Sequence, residues 1–160
     1  MLQTTVYKRT APALPGQVMT ADDSHYLAVP LFADEALPVG GFAFRKAADP
    51  TKAVKAGTGA VAGLVVRNQV YRGAGFAASN AVAKGDPVAL LTRGNVAVVN
   101  GTATTVTIGM HVFAKEADGS VGFASATTLT NYVPTGFVVL DLLDGAGANG
   151  SLVLIGNYTA

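Results

Sequence analysis

Residues 110–124 read MHVFAKEADGSVGFA, and their pattern decides the fold class. Two short apolar runs, residues 110–114 and 121–124, lie on either side of Asp118-Gly119. Valine and phenylalanine favour strands, whereas Asp-Gly is typical of the tight turns that join antiparallel strands. The stretch therefore predicts a β-hairpin.

The same alternation of branched runs and turn residues continues along the chain in both directions. Further turns are predicted at residues 84–87 (KGDP), Arg93-Gly94, Asn100-Gly101 and Asp144-Gly145. The runs that flank Arg93-Gly94 and Asp144-Gly145 each predict another hairpin. The most helix-like window, residues 76–83, is under three turns long. We therefore expect an all-β fold, a compact sandwich, jelly roll or barrel of short antiparallel strands.

The N-terminal part of the chain differs from the rest. Four of the seven prolines fall there: Pro12, Pro15, Pro30 and Pro38. Their spacing excludes a long helix or a central strand, and the apolar residues between them are too frequent for disorder. We predict an extended N-terminal arm at residues 1–38 and a β-rich body at residues 39–160. The alternative is a set of long loops packed on the body.

Composition argues against partners that are bound by charge. The 160 residues carry 11 Lys and Arg against 10 Asp and Glu, and cysteine is absent. A formal net charge of +1 gives no field that would gather nucleic acid or anionic lipid. Lys46, Lys52 and Lys55 form a loose basic cluster, which we interpret as a solvated loop because no aromatic stacking platform accompanies it. We expect neither nucleic acid nor a membrane as a partner.

Candidates for catalysis are few. His25 follows Asp22-Asp23-Ser24, but a nucleophilic triad needs groups that converge from separate elements. His111 lies in an alternating run and is interpreted as a half-buried strand residue. Residues 145–150 spell GxGxxG, but a strand rather than a helix follows, so they are interpreted as loop glycines. We expect no catalytic residue, no cofactor and no metal ligand, and hence no enzyme.

Several segments together resemble the structural cement (capsid decoration) proteins of tailed bacteriophages. The matching stretches are residues 11–17 (APALPGQ), 39–44 (VGGFAF), 57–67 (GTGAVAGLVVR), 82–94 (VAKGDPVALLTRG), 106–114 (VTIGMHVFA) and the turn 118–120. Each stretch alone has low specificity, and the resemblance depends on all the stretches occurring in the same order along the chain. It implies a non-enzymatic virion protein, assembled in the host bacterial cytoplasm, that binds the outside of an assembled head and strengthens its lattice.

The resemblance implies the major capsid protein as partner, and a second contact with copies of the chain itself in a homodimer or homotrimer. The predicted contact residues are apolar side chains of the N-terminal arm: Tyr7, Leu14, Tyr26, Leu31 and Phe32. With a net charge near zero, docking is expected to depend on shape and apolar burial. The alternative function is a carbohydrate-binding or adhesive β module of a virion or cell surface.

Overall fold

The computed structural model describes residues 13–19, 25–67 and 80–157. Within these ranges the chain forms strands, turns and loops, and none of the described residues is helical. The strands are β1 His25–Tyr26, β2 Leu31–Ala33, β3 Leu37–Pro38, β4 Phe42–Lys46, β5 Asp49–Val54, β6 Val61–Val65, β7 Ala81–Val82, β8 Pro87–Val88, β9 Leu90–Val99, β10 His111–Lys115, β11 Val121–Ala124, β12 Tyr132–Leu142 and β13 Leu152–Asn157. The prediction of an all-β fold is confirmed.

Most of the strands belong to one sheet. Its order is β11-β10-β12-β13-β9-β6-β4-β5-β2-β8, with β1 paired to β9, while β3 and β7 form a separate pair. Neighbours are antiparallel except β2 and β5, which run parallel. In the described residues no helix is long and apolar enough to cross a membrane.

The sheet curls around a first core. Phe42 and Phe44 of β4 belong to the same buried cluster as Val121 and Phe123 of β11, although these strands stand far apart in the sheet order. The turn between β10 and β11 closes the gap, because the Phe42 N–H donates to the Gly119 carbonyl at 2.8 Å. Curling buries one face of the strands from β4 to β11.

A second core lies on the other face of β4, β6 and β9. Ala43 joins it while its neighbours Phe42 and Phe44 face the first core, and Val65 joins it next to Leu64. Successive strand residues point to opposite faces, so a strand buried on both faces carries an uninterrupted apolar run. The second core is covered by β2, β3, β7 and β8, which supply Leu31, Leu37, Val82 and Val88 among others.

Strand β9 contradicts one predicted hairpin. Arg93-Gly94 does not turn the chain back, because Leu90–Val99 is one continuous strand. Its first residues pair with β6, while Gly94 and the residues after it pair with β13. Gly94 has φ of +129° and lets the strand bend between these two partners without leaving the sheet. The hairpin prediction was wrong since both flanking runs find partners elsewhere.

Other predicted turns are confirmed. β10 and β11 pair across Asp118-Gly119, and β12 and β13 pair on either side of the loop at residues 143–151, which contains Asp144-Gly145. Residues 84–86 form a turn, closed by the Asp86 N–H donating to the Ala83 carbonyl. Of the helix-like window, Ala81–Val82 is strand β7, and residues 76–79 lie outside the described residues.

The described part of the predicted arm lies against the body. β2 pairs with β5 and β8, and Leu31 and Leu37 have no exposed surface. Residues 13–19 run beside β9, where Val18 bridges to Val96. The division into an extended arm at residues 1–38 and a body at residues 39–160 stays a prediction.

Candidate interaction surface

Residues 25–33 run along the second core as two short strands, β1 and β2, joined by a bend at residues 28–29. Tyr26 lies opposite Leu91 in the register of β1 and β9, and the Leu27 N–H donates to the Leu90 carbonyl at 2.9 Å. Further along, Leu31 of β2 lies opposite Val88. The segment is therefore held at both of its ends by main-chain pairing.

Three apolar side chains of this segment form what we call the apolar ridge: Tyr26, Val29 and Phe32. Their exposed fractions are 50% for Tyr26, 64% for Val29 and 48% for Phe32. Leu31 and Ala33 on either side of Phe32 are buried, so the backbone that carries its ring is fixed by the core. Large apolar side chains exposed together on a rigid backbone are typical of an interaction site.

The other predicted contact residues have different positions. Leu14 is 54% exposed, on a segment tied to the body by the Arg67 Nε, which donates to the Pro15 carbonyl at 2.9 Å. Leu31 is fully buried in the second core, and in this fold its side chain has no surface with which to contact a partner. We therefore assign Leu31 to the core. Tyr7 lies outside the described residues.

The predicted basic cluster is neutralised by carboxylates next to the ridge. Lys46 and Lys52 contact Asp34 at 2.6 and 3.2 Å, and Lys55 contacts Glu35 at 3.5 Å. The hydrogen bonds from Lys46 and then Lys52 lower the pKa of Asp34 below its ordinary value. Each lysine of the cluster thus has an acidic partner, which leaves the ridge as the distinctive feature of this surface.

The two histidines are brought to separate strands. His25 is exposed on β1 opposite Arg93, and His111 is half-buried on β10 opposite Ala124 and Val138. Among residues 13–19, 25–67 and 80–157, no group of three His, Cys, Asp or Glu side chains is placed to hold a metal ion. Residues 145–150 lie in the loop between β12 and β13, as predicted for loop glycines.

Comparison with known proteins identifies the family of the chain. The family model described as the XM1 gp53 minor capsid protein matches residues 2–157. The chain belongs to this family. A chain of a solved structure, the capsid of Myoviridae phage XM1, has the same fold with a TM-score of 0.68 and 16% sequence identity, and the match covers 99% of both chains. No curated protein matches the sequence.

Family membership fixes the general role. The chain is a structural, capsid-associated protein of a bacteriophage, and it belongs in the virion. The predicted bacteriophage capsid family is confirmed at this level. Membership of a structural capsid family implies a role without catalysis.

Sequence reasoning missed Val29, an equally prominent part of the ridge. The residue is as exposed as Ile108, at 64%, and the two exceed the other exposed large hydrophobic side chains of the described residues. The exposure of Val29 follows from the bend at residues 28–29 between β1 and β2, which the local sequence does not indicate.

Proposed function

We propose that the chain attaches to the outer surface of the assembled phage head, binds the major capsid protein through the apolar ridge, and stabilises the shell lattice. The observation that supports this most is the ridge itself, three large apolar side chains displayed on a backbone anchored to the second core. Family membership supports the virion as the setting.

Rigidity of the body suits attachment to a preformed shell. A partner that docks without ordering loops avoids the entropy that flexible segments lose on binding. The ridge backbone is ordered in the free chain by pairing with β9, β5 and β8. A standard contact of about 800 Å² per partner would then suffice, and several such contacts made by one oligomer reinforce each other.

Aromatic side chains at the centre of such a contact carry most of the binding energy. We expect Tyr26→Ala and Phe32→Ala each to weaken binding to shells roughly tenfold or more. The measurement is co-sedimentation of purified protein with heads that lack it. Thr127→Ala, an exposed position in the loop between β11 and β12, is the control and should bind like wild type. Equal occupancy by all variants would contradict the assignment of the ridge.

The placement on the outer surface is tested separately. A short epitope inserted after Ala126, in the exposed loop between β11 and β12, should be reached by antibody on intact heads. Antibody binding only after heads are broken open would contradict outer placement. Stabilisation predicts that occupied heads release DNA at a higher temperature than bare heads.

A truncation that leaves the body intact tests whether the N-terminal segment contributes to binding to heads. Residues 13–17 are unsuitable for removal, because the Ala97 N–H donates to the Gln17 carbonyl and Ala13 is buried. Removal of residues 1–10 takes away Tyr7 and leaves these contacts in place. We expect a folded protein with reduced occupancy on heads; unchanged occupancy would remove Tyr7 from the contact.

A further inference from the structure

Two Asn-Gly dipeptides meet where the loop after β9 contacts the loop between β12 and β13. They are Asn100-Gly101 and Asn149-Gly150. The Gly150 N–H donates to the Asn100 carbonyl at 2.7 Å, and the Asn100 N–H donates to the Ser151 carbonyl at 2.9 Å. Asparagine is chemically labile, above all before glycine, which has no Cβ to hinder its main-chain nitrogen. The fold therefore holds two similar reactive dipeptides in different surroundings.

The Asn100 side chain is held in place by hydrogen bonds. Asn100 has no exposed surface, and its Nδ2 donates to the carbonyls of Thr104 and Gly147. Its Oδ1 accepts the Thr102 N–H at 2.9 Å. Attack on the side-chain carbonyl carbon by the Gly101 nitrogen requires the amide to rotate, and that rotation would break these buried bonds. Asn100 is therefore protected in the folded protein.

The Asn149 side chain lacks such support. Asn149 and Gly150 are both exposed, and in the part of the chain that the structure describes no hydrogen bond involves the Asn149 side chain. The two residues occupy the centre of a tight turn, which the Ser151 N–H closes by donating to the Ala148 carbonyl at 3.0 Å. Solvent reaches this amide, and no buried bond has to break for the side chain to rotate.

A main-chain contact slows the reaction at Asn149. The nitrogen that would attack its side chain is that of Gly150, whose N–H is donated to the Asn100 carbonyl. The reaction therefore needs a local opening of the loop between β12 and β13. Asp144 opposes this opening, because its Oδ2 accepts the Leu152 N–H at 2.9 Å across the loop. Local opening of an exposed loop costs much less free energy than global unfolding.

We infer that Asn149 is a site of spontaneous deamidation and that the hydrogen bond from Gly150 to Asn100 controls its rate. The Gly150 nitrogen loses its proton to solvent and bonds to Cγ of Asn149. The bond from Cγ to Nδ2 breaks, and Nδ2 takes a proton from solvent and leaves as ammonia. Water then opens the cyclic imide. Addition of water at Cγ gives aspartate, whereas addition at the main-chain carbonyl carbon gives isoaspartate.

Conversion weakens the contact that controls it. Each conversion replaces a neutral amide by a carboxylate, so the formal net charge of +1 falls by one. Isoaspartate also lengthens the main chain before Gly150 and moves its N–H away from the Asn100 carbonyl. A converted chain should therefore open more readily between β12 and β13. The inference does not depend on the apolar ridge or on attachment to heads.

Peptide mapping by mass spectrometry tests the site on the purified full chain, incubated in mildly alkaline buffer with and without denaturant. In the folded protein Asn149 should lose its amide at least about tenfold faster than Asn100, because a local opening frees only the exposed residue. In denaturant the two rates should agree within about threefold, since both residues precede glycine. Asn149→Gln should leave the loop peptide unconverted, because its longer side chain closes a less favourable ring.

The control by the loop contact is tested by loosening the loop. Folded wild type should convert Asn149 several-fold more slowly than denatured wild type. Asp144→Ala removes the bond to the Leu152 N–H and should speed conversion at least about threefold. Asp118→Ala is the matched control, because Asp118 Oδ1 accepts the Ser120 N–H at 3.0 Å in another Asp-Gly turn. This variant should convert Asn149 at the wild-type rate.

The outcomes distinguish the site from its control. The site is wrong if Asn100 converts as fast as Asn149 in the folded protein, or if folded Asn149 stays intact while the denatured chain converts completely. Equal rates at Asn149 in folded and denatured protein would overturn the control by the loop contact, and so would an unchanged rate in a folded Asp144→Ala variant. If that variant melts below wild type, the comparison of folded with denatured wild type decides.

Discussion

The Asn100 amide joins two loops that lie far apart in the sequence. Its Nδ2 donates to the carbonyls of Thr104 at 2.8 Å and Gly147 at 3.0 Å, and its Oδ1 accepts the Thr102 N–H at 2.9 Å. Its main chain also pairs, through the Ser151 carbonyl and the Gly150 N–H. The side chain is fully buried, so these bonds are shielded from water.

Replacing Asn100 therefore removes several buried hydrogen bonds at once. We expect Asn100→Ala to lower the free energy of unfolding by roughly 1–3 kcal/mol, because buried partners are left unsatisfied. Chemical denaturation measures the loss. Asn149→Ala, an exposed asparagine that also precedes a glycine, is the control and should change stability by less than about 0.5 kcal/mol. Similar losses for both variants would contradict this role for Asn100.

Asn100 also shows what a sequence pattern can hide. Asn-Gly predicted a tight turn, and the chain does leave β9 at Asn100. The hydrogen bond that joins the two loops runs from the Asn100 side chain to the Gly147 carbonyl, which is 47 residues further along the chain. A pairing at that separation follows from the packed fold rather than from local conformational preference.

At the scale of elements, the turn between β10 and β11 closes the curled sheet. Gly119 has φ of +69°, and a Cβ there would collide with the Phe42 carbonyl and come within 2.9 Å of the Lys55 carbonyl. The close approach of these strands therefore requires glycine at this position.

Alanine substitutions at Gly145 and Gly119 separate two costs: that of a left-handed backbone, and that of the close contact between the β10–β11 turn and β4. Gly145 has a similar φ of +76° but no atom within 4 Å of an added Cβ. We expect Gly145→Ala to lose roughly 1–2 kcal/mol from its left-handed backbone alone. Gly119→Ala should lose a further 1–3 kcal/mol or so from overpacking. Thermal or denaturant unfolding of both variants gives the difference, and equal losses would show that the contact with β4 contributes nothing.

The ion pairs of Asp34, the residue after β2, with Lys46 of β4 and Lys52 of β5 predict sensitivity to acid. Lys46 and Lys52 lower the pKa of Asp34 from its ordinary value of 3.8. A lowered folded pKa means that the pairs stabilise the fold above about pH 4, and that this stability is lost as the pH falls through the lower folded value. Melting temperatures between about pH 6 and pH 2 should fall more steeply for wild type than for Asp34→Asn. Asp86→Asn, an exposed aspartate in the turn before β8, should follow wild type.

Turn dipeptides predicted hairpins correctly where both flanking runs pair with each other. Asp118-Gly119 and Asp144-Gly145 are of this kind. Arg93-Gly94 has the same appearance, yet its flanking runs pair with β6 and β13 instead. The choice between a turn and a bent strand depends on which partners the rest of the sheet offers, and local sequence does not contain that information.

At the scale of the whole molecule, the ridge belongs to the layer of β1 and β2 over the second core. Tyr26, Val29 and Phe32 belong to neither buried cluster. Substitutions there therefore change the exposed surface and leave both cores intact.

Apolar docking predicts little dependence on salt. The lysines beside the ridge are already paired with Asp34 and Glu35, and the net charge of the chain is +1. Raising salt from about 0.05 to 0.5 M shortens the screening length severalfold but removes few attractive charge contacts with the shell. Occupancy on heads, measured by co-sedimentation, should change by less than about twofold. Release of the protein by salt would contradict apolar docking.

The virion role could be predicted from the joint order of several segments, whereas individual contact residues could not. Leu31 and Phe32 are adjacent apolar residues, and only the pairing of β2 decides that the first is buried and the second exposed. Composition indicated that charge would not govern binding, and the structure adds where each lysine finds its carboxylate.

The position of β9 in both cores determines how the protein unfolds when it is heated or under pressure. Leu90 belongs to the second core and Leu91 to the first, and the strand pairs with β6, β13 and β1 along its length. Neither core can unfold while the other stays folded, because unfolding of either core would release the same strand, β9. Damage from heat or internal pressure should therefore appear all at once, with no partly opened form left attached to the particle.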